Sequence, residues 1–302
     1  MDRFEAIRTL LAAVDGGSLS AASRSMALPL PTVSRRVSDL EAHLDTQLVI
    51  RTSRKLILTE AGAAYVTAMR RVIEQMVEAE RAASGEYRAP RGELLVTAPI
   101  LFGALHVAPI IHDFLGGYPE VSVRLVLSDA LVDLTENHVD VALRIGKLPD
   151  SSLVARRVGA VRWVICASPD YVRRRGEPAT PAALSAHDCI AFEGLQTYRS
   201  WPFGAGAQTV TIRPRFSVNT ADAVIAAAVA GLGIARVMSY QASRAVADRQ
   251  LVALLLQDTV DRLPVHLVHA PQPLLPVKLR AFLDFVAPRL KIALDQIEDT
   301  YA

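Results

Sequence analysis

Thr32, Ser34, Arg35 and Arg36 are the first residues in the chain whose types and spacing suit a defined chemistry. Short hydroxyls and guanidinium forks hydrogen-bond to base edges and phosphate oxygens, and an arginine can hold guanine through two bonds. A second cationic group, Arg51, Arg54 and Lys55, follows soon after. It suits phosphate contact, which adds affinity and salt dependence but carries no sequence information. Further on, Thr97, Asn219 and Thr220 offer polar side chains, and Arg144 offers a guanidinium that fits a carboxylate. Other chemistries find little support. The two cysteines, Cys166 and Cys189, cannot build a disulfide framework or a metal finger, and read as buried thiols in strands, with a redox switch as the minor reading. The seven histidines show no paired-ligand spacing, so neither a metal nor a cofactor is expected. A GxSxG elbow, a P-loop and an evident nucleophile–base pair are all absent, so the chain is not expected to be an enzyme.

The elements that must position the first group are legible from spacing. Phe4, Ile7, Leu10, Leu11 and Val14 form an apolar stripe over Asp2–Asp15, and Gly16-Gly17 ends that helix. Ser18 or Ser20 caps a short second helix that runs to Met26. ALPLP interrupts it, since proline fits a helix only in the first turn. The helix that follows, about Pro31–Asp45, carries Val33, Val37, Leu40 and Leu44 on one side and the Thr32–Arg36 group on the other. Two helices joined by a tight turn, the second with a polar and basic N-terminal end, make a helix-turn-helix. Leu48–Leu58 then reads as a hairpin, a wing with Arg51, Arg54 and Lys55 at its tip.

Thr59 caps a long helix to about Ser84, in which Tyr65, Met69, Val72, Met76, Ala79 and Ala83 follow a coiled-coil rhythm. Tyr65, Met69, Val72 and Met76 are therefore expected to pair with a second copy, which would present two recognition helices to a dyad-symmetric site. Gly85–Gly92 is a hinge. From Leu94 strands and helices alternate: LLVTA, a helix over Phe102–Leu115, VSVRLVL, a short helix over Leu131–Glu136, VDVALRI, Arg162–Ala167, DCIAF, TVTI, RFSVN, a helix over Ala221–Ala230, GIARV, LPVHLVHA and a last helix over about Val277–Leu294. That alternation predicts parallel-rich α/β sheets. Ligands in such folds sit beyond strand ends and at helix N-termini. The candidates are Thr97-Ala98-Pro99-Ile100, Arg144-Ile145-Gly146, Trp201 and Phe203 in an irregular middle section, and Asn219-Thr220. Each has a plainer alternative. The threonines can serve as caps, Arg144 can pair with Asp140 or Asp222, and Trp201 can be core. AGLGIA has its helix before the glycines, the wrong context for a dinucleotide fingerprint.

The segments AAS, VSRRVSDLEAHL, RTSRKLILTEAG, APILFG, HVAPIIHDFLGGYPEV, VDVALRIG and AGLGIA, in that order, resemble the LysR-type transcriptional regulators. The resemblance covers nearly the whole chain. It implies a winged helix-turn-helix over 1–58, a linker helix and hinge over 59–91, and a two-lobed α/β effector domain like periplasmic binding proteins over 92–302. Lobe 1 would be about 92–164 and 266–295, and lobe 2 about 165–265. It also implies promoter DNA, a small-molecule effector, RNA polymerase and a homodimer or homotetramer as partners. The chain departs from the family pattern at Pro29, where a capping serine is common, and at Leu30, where a polar residue is common. It departs again at Asp45 for glycine, Val49 for phenylalanine and Met238 for proline.

Length and composition agree with this. At 302 residues, 51% hydrophobic and 21% charged, the chain suits two or three ordered domains. The net charge of +2 conceals the local cationic clusters. The N-terminal stretch is an amphipathic helix pattern, not a signal peptide, and no apolar run is read as approaching the roughly 18 residues of a membrane span. A cytoplasmic location, away from membranes, is expected. The rival reading is a cytosolic small-molecule-binding protein whose N-terminal segment serves only dimerisation.

Overall fold

Asp2 opens the first helix by accepting hydrogen bonds from the Phe4 and Glu5 amides at 3.0 and 3.3 Å. The computed structural model describes residues 2–51, 56–83, 89–130, 132–134, 137–193, 199–204, 206, 208–259, 261–272 and 275–301. They form two compact units, Met1–Arg88 and Ala89–Ala302.

The first unit holds α1 (Arg3–Asp15), α2 (Leu19–Ser25), α3 (Leu30–His43), the strands β1 (Val49–Arg51) and β2 (Leu56–Leu58), and α4 (Glu60–Ala83). Ser18 caps α2 through the Ala21 amide at 3.1 Å. The turn into α3 closes on itself: Leu28 N–H donates to the Ser23 carbonyl, and the Ser23 hydroxyl donates to the Leu28 carbonyl at 2.6 Å. α3 begins at Leu30, one residue earlier than expected, with Pro29 at its cap position and Pro31 in the first turn. No side chain caps it. Its end explains one departure in the sequence: Asp45 has φ 47°, the left-handed conformation that glycine tolerates best and aspartate also reaches.

The core of this unit gathers Ala6, Leu10, Val37, Leu40, Leu48, Val49 and Val66. The expected stripe on α1 is thus partly misplaced. The fully buried side is Ala6, Thr9, Leu10 and Ala13, while Phe4, Ile7, Leu11 and Val14 are half-buried. β1 pairs antiparallel with β2, Val49 facing Leu58 and Arg51 facing Leu56. The Glu41 carboxylate accepts from the Leu48 and Val49 amides at 2.8 and 3.0 Å and binds the wing base to α3. Thr59 caps α4 through the Gly62 amide at 2.9 Å. Gly62 cannot carry a side chain here, because a Cβ would lie 1.9 Å from the Leu48 carbonyl oxygen.

The second unit is built on one mixed sheet. Its elements are β3 (Gly92–Ala98), α5 (Ile100–Phe102), a π-helical turn over Gly103–Val107, α6 (Ala108–Gly117), β4 (Val121–Leu127), β5 (Val141–Ile145), β6 (Val154–Ala167), α7 (Pro169–Arg175), β7 (Cys189–Phe192), β8 (Ser200–Phe203), β9 (Gln208–Thr211), β10 (Pro214–Val218), α8 (Ala221–Val229), β11 (Ile234–Met238), α9 (Ser239–Ala247), β12 (Val252–Leu254), β13 (Arg262–His269) and α10 (Val277–Asp299). The strand order is β10-β7-β11-β6-β13-β5-β3-β4, with β12 also on β6.

β3 runs parallel to β4 and β5, and β7 parallel to β10 and β11. All pairings of β6 and β13 are antiparallel. β6 is the spine: Val154–Arg162 pair with β13, and Trp163–Cys166 pair with β11. It begins eight residues before the expected Arg162, since Val154 is its first residue. Its first four residues, Val154–Arg157, are all exposed, so no buried–exposed alternation marks where it starts.

Three other expectations change. The helix expected over Phe102–Leu115 runs from Ile100 to Gly117 with the π turn inside it. By length and composition it is apolar enough for a membrane span, contrary to the expectation, but Phe102, Val107, Ile110, Ile111 and Phe114 lie in the core. Residues 132–134 are not helical, and Leu131, Thr135 and Glu136 of the expected short helix lie outside the described residues. The stretch around Trp201 is not irregular: β8 and β9 form a hairpin with Trp201 facing Val210.

Candidate nucleic-acid interface and effector cleft

Along α3 the helical period buries Val33, Val37 and Leu40 and turns the first polar residues outward. Arg35 is exposed, and Thr32 and Ser34 are half-buried beside it. Arg36 does something else. Its Nη1 lies 3.0 Å from Glu5 Oε2 and 3.4 Å from Thr9 Oγ1, so the guanidinium ties α3 to α1. With 27% of its side chain accessible and a carboxylate already on it, Arg36 differs from the more exposed Arg35. One consecutive step of about 100° around the helix separates the two roles. Leu30, at the first position of α3, is exposed. Arg51 is in strand β1, while Arg54 and Lys55 lie outside the described residues.

α4 divides its seam. Val66 is buried, and Tyr65 is half-buried with part of its ring against the unit's own core. Met69 is half-buried, and Val72 and Met76 are exposed.

In the second unit Thr97, the penultimate residue of β3, is 1% exposed, and its Oγ1 finds no hydrogen-bond partner among the described residues. Ala98 is buried and accepts the Ser128 amide at 3.0 Å. Pro99 leads into the helix. The Ile100 amide, at the start of that helix, already donates to the Asp129 carboxylate at 3.0 Å. Arg144 pairs with neither Asp140 nor Asp222. Its Nη2 donates to the Val132 carbonyl at 2.7 Å, and burial lowers its pKa. Asp140 accepts the Leu95 amide, and the Thr220 hydroxyl bonds the Asp222 carboxylate, holding its pKa down. Across the ladder from Arg144 stands His266, whose Nδ1 is buried without a partner among the described residues and whose pKa burial lowers. Ile145 is half-buried, and Gly146 takes φ 105° while its amide donates to the Pro264 carbonyl. Asn219 is exposed at the start of α8.

Trp201 and Phe203 are a correction. Both are buried in a core cluster with Ile165, Tyr171, Leu184, Val210 and Ile212, so neither ring is free to line a cleft. The strand alternation of β8 turns them inward together. Cys166 and Cys189 are also buried, and burial pushes both thiols up to about 12. Sequence reasoning missed two clusters. Phe102, His106 and Tyr240 meet in tilted and edge-to-face contacts with centroids 4.9 to 6.0 Å apart, joining α5 and the π turn to α9. Arg236 is buried inside strand β11 with its guanidinium 4.0 Å from the Trp163 ring centroid. Its signal was a lone cation within the apolar run GIARVM.

The family described as "Bacterial regulatory helix-turn-helix protein, lysR family" matches residues 4–63, and the "LysR substrate binding domain" family matches residues 88–291. The chain belongs to the LysR family of transcriptional regulators. As a LysR-type regulator it joins a DNA-binding helix-turn-helix to a substrate-binding domain, and the reading of its N-terminal segment as a dimerisation module alone gives way. It is 34% identical over 288 residues to an HTH-type transcriptional regulator of Xanthomonas campestris pv. campestris, covering 93% of this chain and 84% of that one. It is 31% identical to the HTH-type transcriptional regulator CrgA of Neisseria meningitidis serogroup C, covering 95% and 96% of the two chains. The solved structure of CrgA superposes with a TM-score of 0.62 over 95% of this chain and 98% of that one, at 31% identity. Full-length AphB, a virulence activator of Vibrio cholerae, gives 0.59 at 27% identity over 93% and 97%.

Proposed function

We propose that this LysR-type regulator reads its operator with Thr32, Ser34 and Arg35, and that Arg51, Arg54 and Lys55 of the wing contact phosphate. The observation that carries this reading is the split between an exposed Arg35 and an Arg36 committed to Glu5. Residues 1–58 would be the DNA-binding domain and 59–91 the linker. Residues 92–302 would be an effector domain with lobes at about 92–164 plus 266–295 and 165–265. Val72, Met76 and Met69 on α4 would pair two copies, as a dimer or a tetramer built from dimers, so that two α3 helices meet a dyad. A small effector between the lobes, touching Thr97 and the Arg144 region, would favour one arrangement and so change DNA bending or contact with RNA polymerase. The protein would act in the cytoplasm and consume no substrate.

The test is retention of the promoter fragment beside the regulator's own gene. Wild type is expected to retard it with an affinity that falls steeply with salt, and Arg35→Ala to lose specific retention. No retardation at low salt would overturn the reading.

A further inference from the structure

Arg236 is a charged side chain in the middle of a buried strand, and no acidic group answers it among the described residues. It is 4% exposed, and its Nε has no hydrogen-bond partner among them. Burial lowers its pKa to about 10, which still leaves it charged at neutral pH. Its guanidinium lies over the Trp163 ring, whose centroid is 4.0 Å from the guanidinium carbon. A cation held this way is only partly compensated, because the ring answers one face of the guanidinium and leaves the buried Nε–H without an acceptor among the described residues.

Position adds to the argument. On β6, Arg162 is the last residue paired with β13 and Trp163 is the first paired with β11. The Arg236–Trp163 stack therefore stands where the spine passes from one half of the sheet to the other. Alternation along β11 puts Arg236 on the same side as Ile234, and Ile165 faces Arg236 across the ladder. The surroundings are thus an aromatic ring, aliphatic side chains and one cation. Trp163 is only half-buried, so this corner reaches the surface along the ring.

We propose that Arg236 and Trp163 form the anchor of the effector site, and that it takes a small organic monocarboxylate with an apolar body. The Nε–H and one Nη–H form a fork whose spacing matches the two oxygens of a carboxylate. A single cation neutralises a single negative charge, which selects against phosphate and other dianions. The half-buried Trp163 ring, along which this corner reaches the surface, receives the apolar remainder. This deepens the effector-domain reading above and rests on it. It also moves the anion anchor away from the Ile100 amide, which Asp129 occupies, and from Arg144, which is engaged with the Val132 carbonyl.

The experiment is thermal unfolding and tryptophan fluorescence of the full-length protein with acetate, butyrate, phenylacetate and benzoate. Butyramide and benzamide serve as neutral counterparts, and phosphate as a dianion. At least one of the larger carboxylates is expected to raise Tm, while the amides and phosphate do not. Arg236→Met, which replaces a buried unanswered charge with an apolar chain of similar length, is expected to unfold at the same or a higher temperature without ligand. It should lose roughly tenfold to a hundredfold in carboxylate affinity. If Arg236→Met does not fold, Arg236→Lys, which keeps the charge but not the fork, should show the same loss.

An unchanged carboxylate response in the folded variant would overturn the proposal. So would the absence of any response to all four carboxylates, or an equal response to the amides. Promoter retention by wild type without ligand is measured alongside. Intact retention with no carboxylate response removes this proposal alone, whereas lost retention removes the regulatory reading.

Discussion

Arg35 and Arg36 are neighbours in sequence, yet their environments predict opposite phenotypes. Arg36→Ala removes a 3.0 Å ion pair with Glu5 and a 3.4 Å contact with Thr9. Both partners of the ion pair are about a third exposed or less, at 27% and 32%, so solvent screens it and about 1 kcal/mol is the appropriate scale. Thr9 is not stranded by the change, because its hydroxyl already donates to the Glu5 carbonyl at 2.6 Å. For a unit of this size about 1 kcal/mol corresponds to roughly 4–8 °C in Tm. Arg35→Ala touches no such tie and should stay within about 0.5 kcal/mol of wild type. On DNA the order reverses. Loss of a base-contacting arginine should cost about 1–3 kcal/mol, and a phosphate-contacting one would instead lower the salt slope by about one. Differential scanning fluorimetry of the two single variants, with promoter binding by anisotropy at several salt concentrations well below both melting temperatures, measures both effects. An Arg36→Ala variant with unchanged Tm and a DNA loss equal to that of Arg35→Ala would refute the assignment, since it would mean that Arg36 leaves Glu5 to meet the duplex.

Four further outcomes follow from the same geometry. Gly62→Ala forces a Cβ to within 1.9 Å of the Leu48 carbonyl oxygen, so the start of α4 and the wing base must shift. A Tm lowered by about 1–3 kcal/mol equivalent is expected, and an unchanged melting curve would contradict the packing described. Leu30 is exposed at the first position of α3, so with α3 in the major groove it is expected to meet a thymine methyl group; replacing operator thymines one at a time with uracil should weaken wild type at one position and leave Leu30→Gln indifferent there. Val72→Asp with Met76→Asp should shift the sedimentation equilibrium toward monomer, and an unchanged assembly would exclude the α4 seam. His106, whose pKa burial lowers, should contribute stability at pH values above its unfolded pKa of about 6.5 that is lost as pH falls through the lower folded value. His187 and His266 shift in the same direction, so the readout is the difference between wild type and His106→Gln across that range.

The parts of the fold that follow a local rule were legible, and those that depend on a distant partner were not. Val33, Val37 and Leu40 mark the buried side of α3 because a helix must hide every third or fourth residue. Thr59 caps α4 because its hydroxyl reaches an amide three residues on, an interaction contained within a short stretch. By contrast, what distinguishes Arg36 from Arg35 is a carboxylate 31 positions earlier, and no spacing rule links the two. The buried side of α1 was misjudged because Ala6 and Ala13 are too small to stand out in an apolar count, while the larger Phe4 and Ile7 sit at its margin. Trp201 and Phe203 flank a proline, and proline reads as irregularity; the pairing of Trp201 with Val210 that makes a hairpin of them appears only once β9 is in place.

The residues proposed for the effector show the same division at the level of chemistry. A helix N-terminus invites an anion, and that much can be read from Pro99-Ile100. Whether the invitation is already taken depends on Asp129, 29 positions later, whose carboxylate sits on the Ile100 amide. Arg144 likewise offers a cation in principle and spends one of its donors on a carbonyl in practice. Of the cations near the spine, Arg236 combines deep burial with an unused donor, and it stands in a strand where any apolar residue would cost less to bury. A charge kept in so unfavourable a position is best understood through a state in which an opposite charge joins it, and a carboxylate arriving at the crossover of β6 supplies that state.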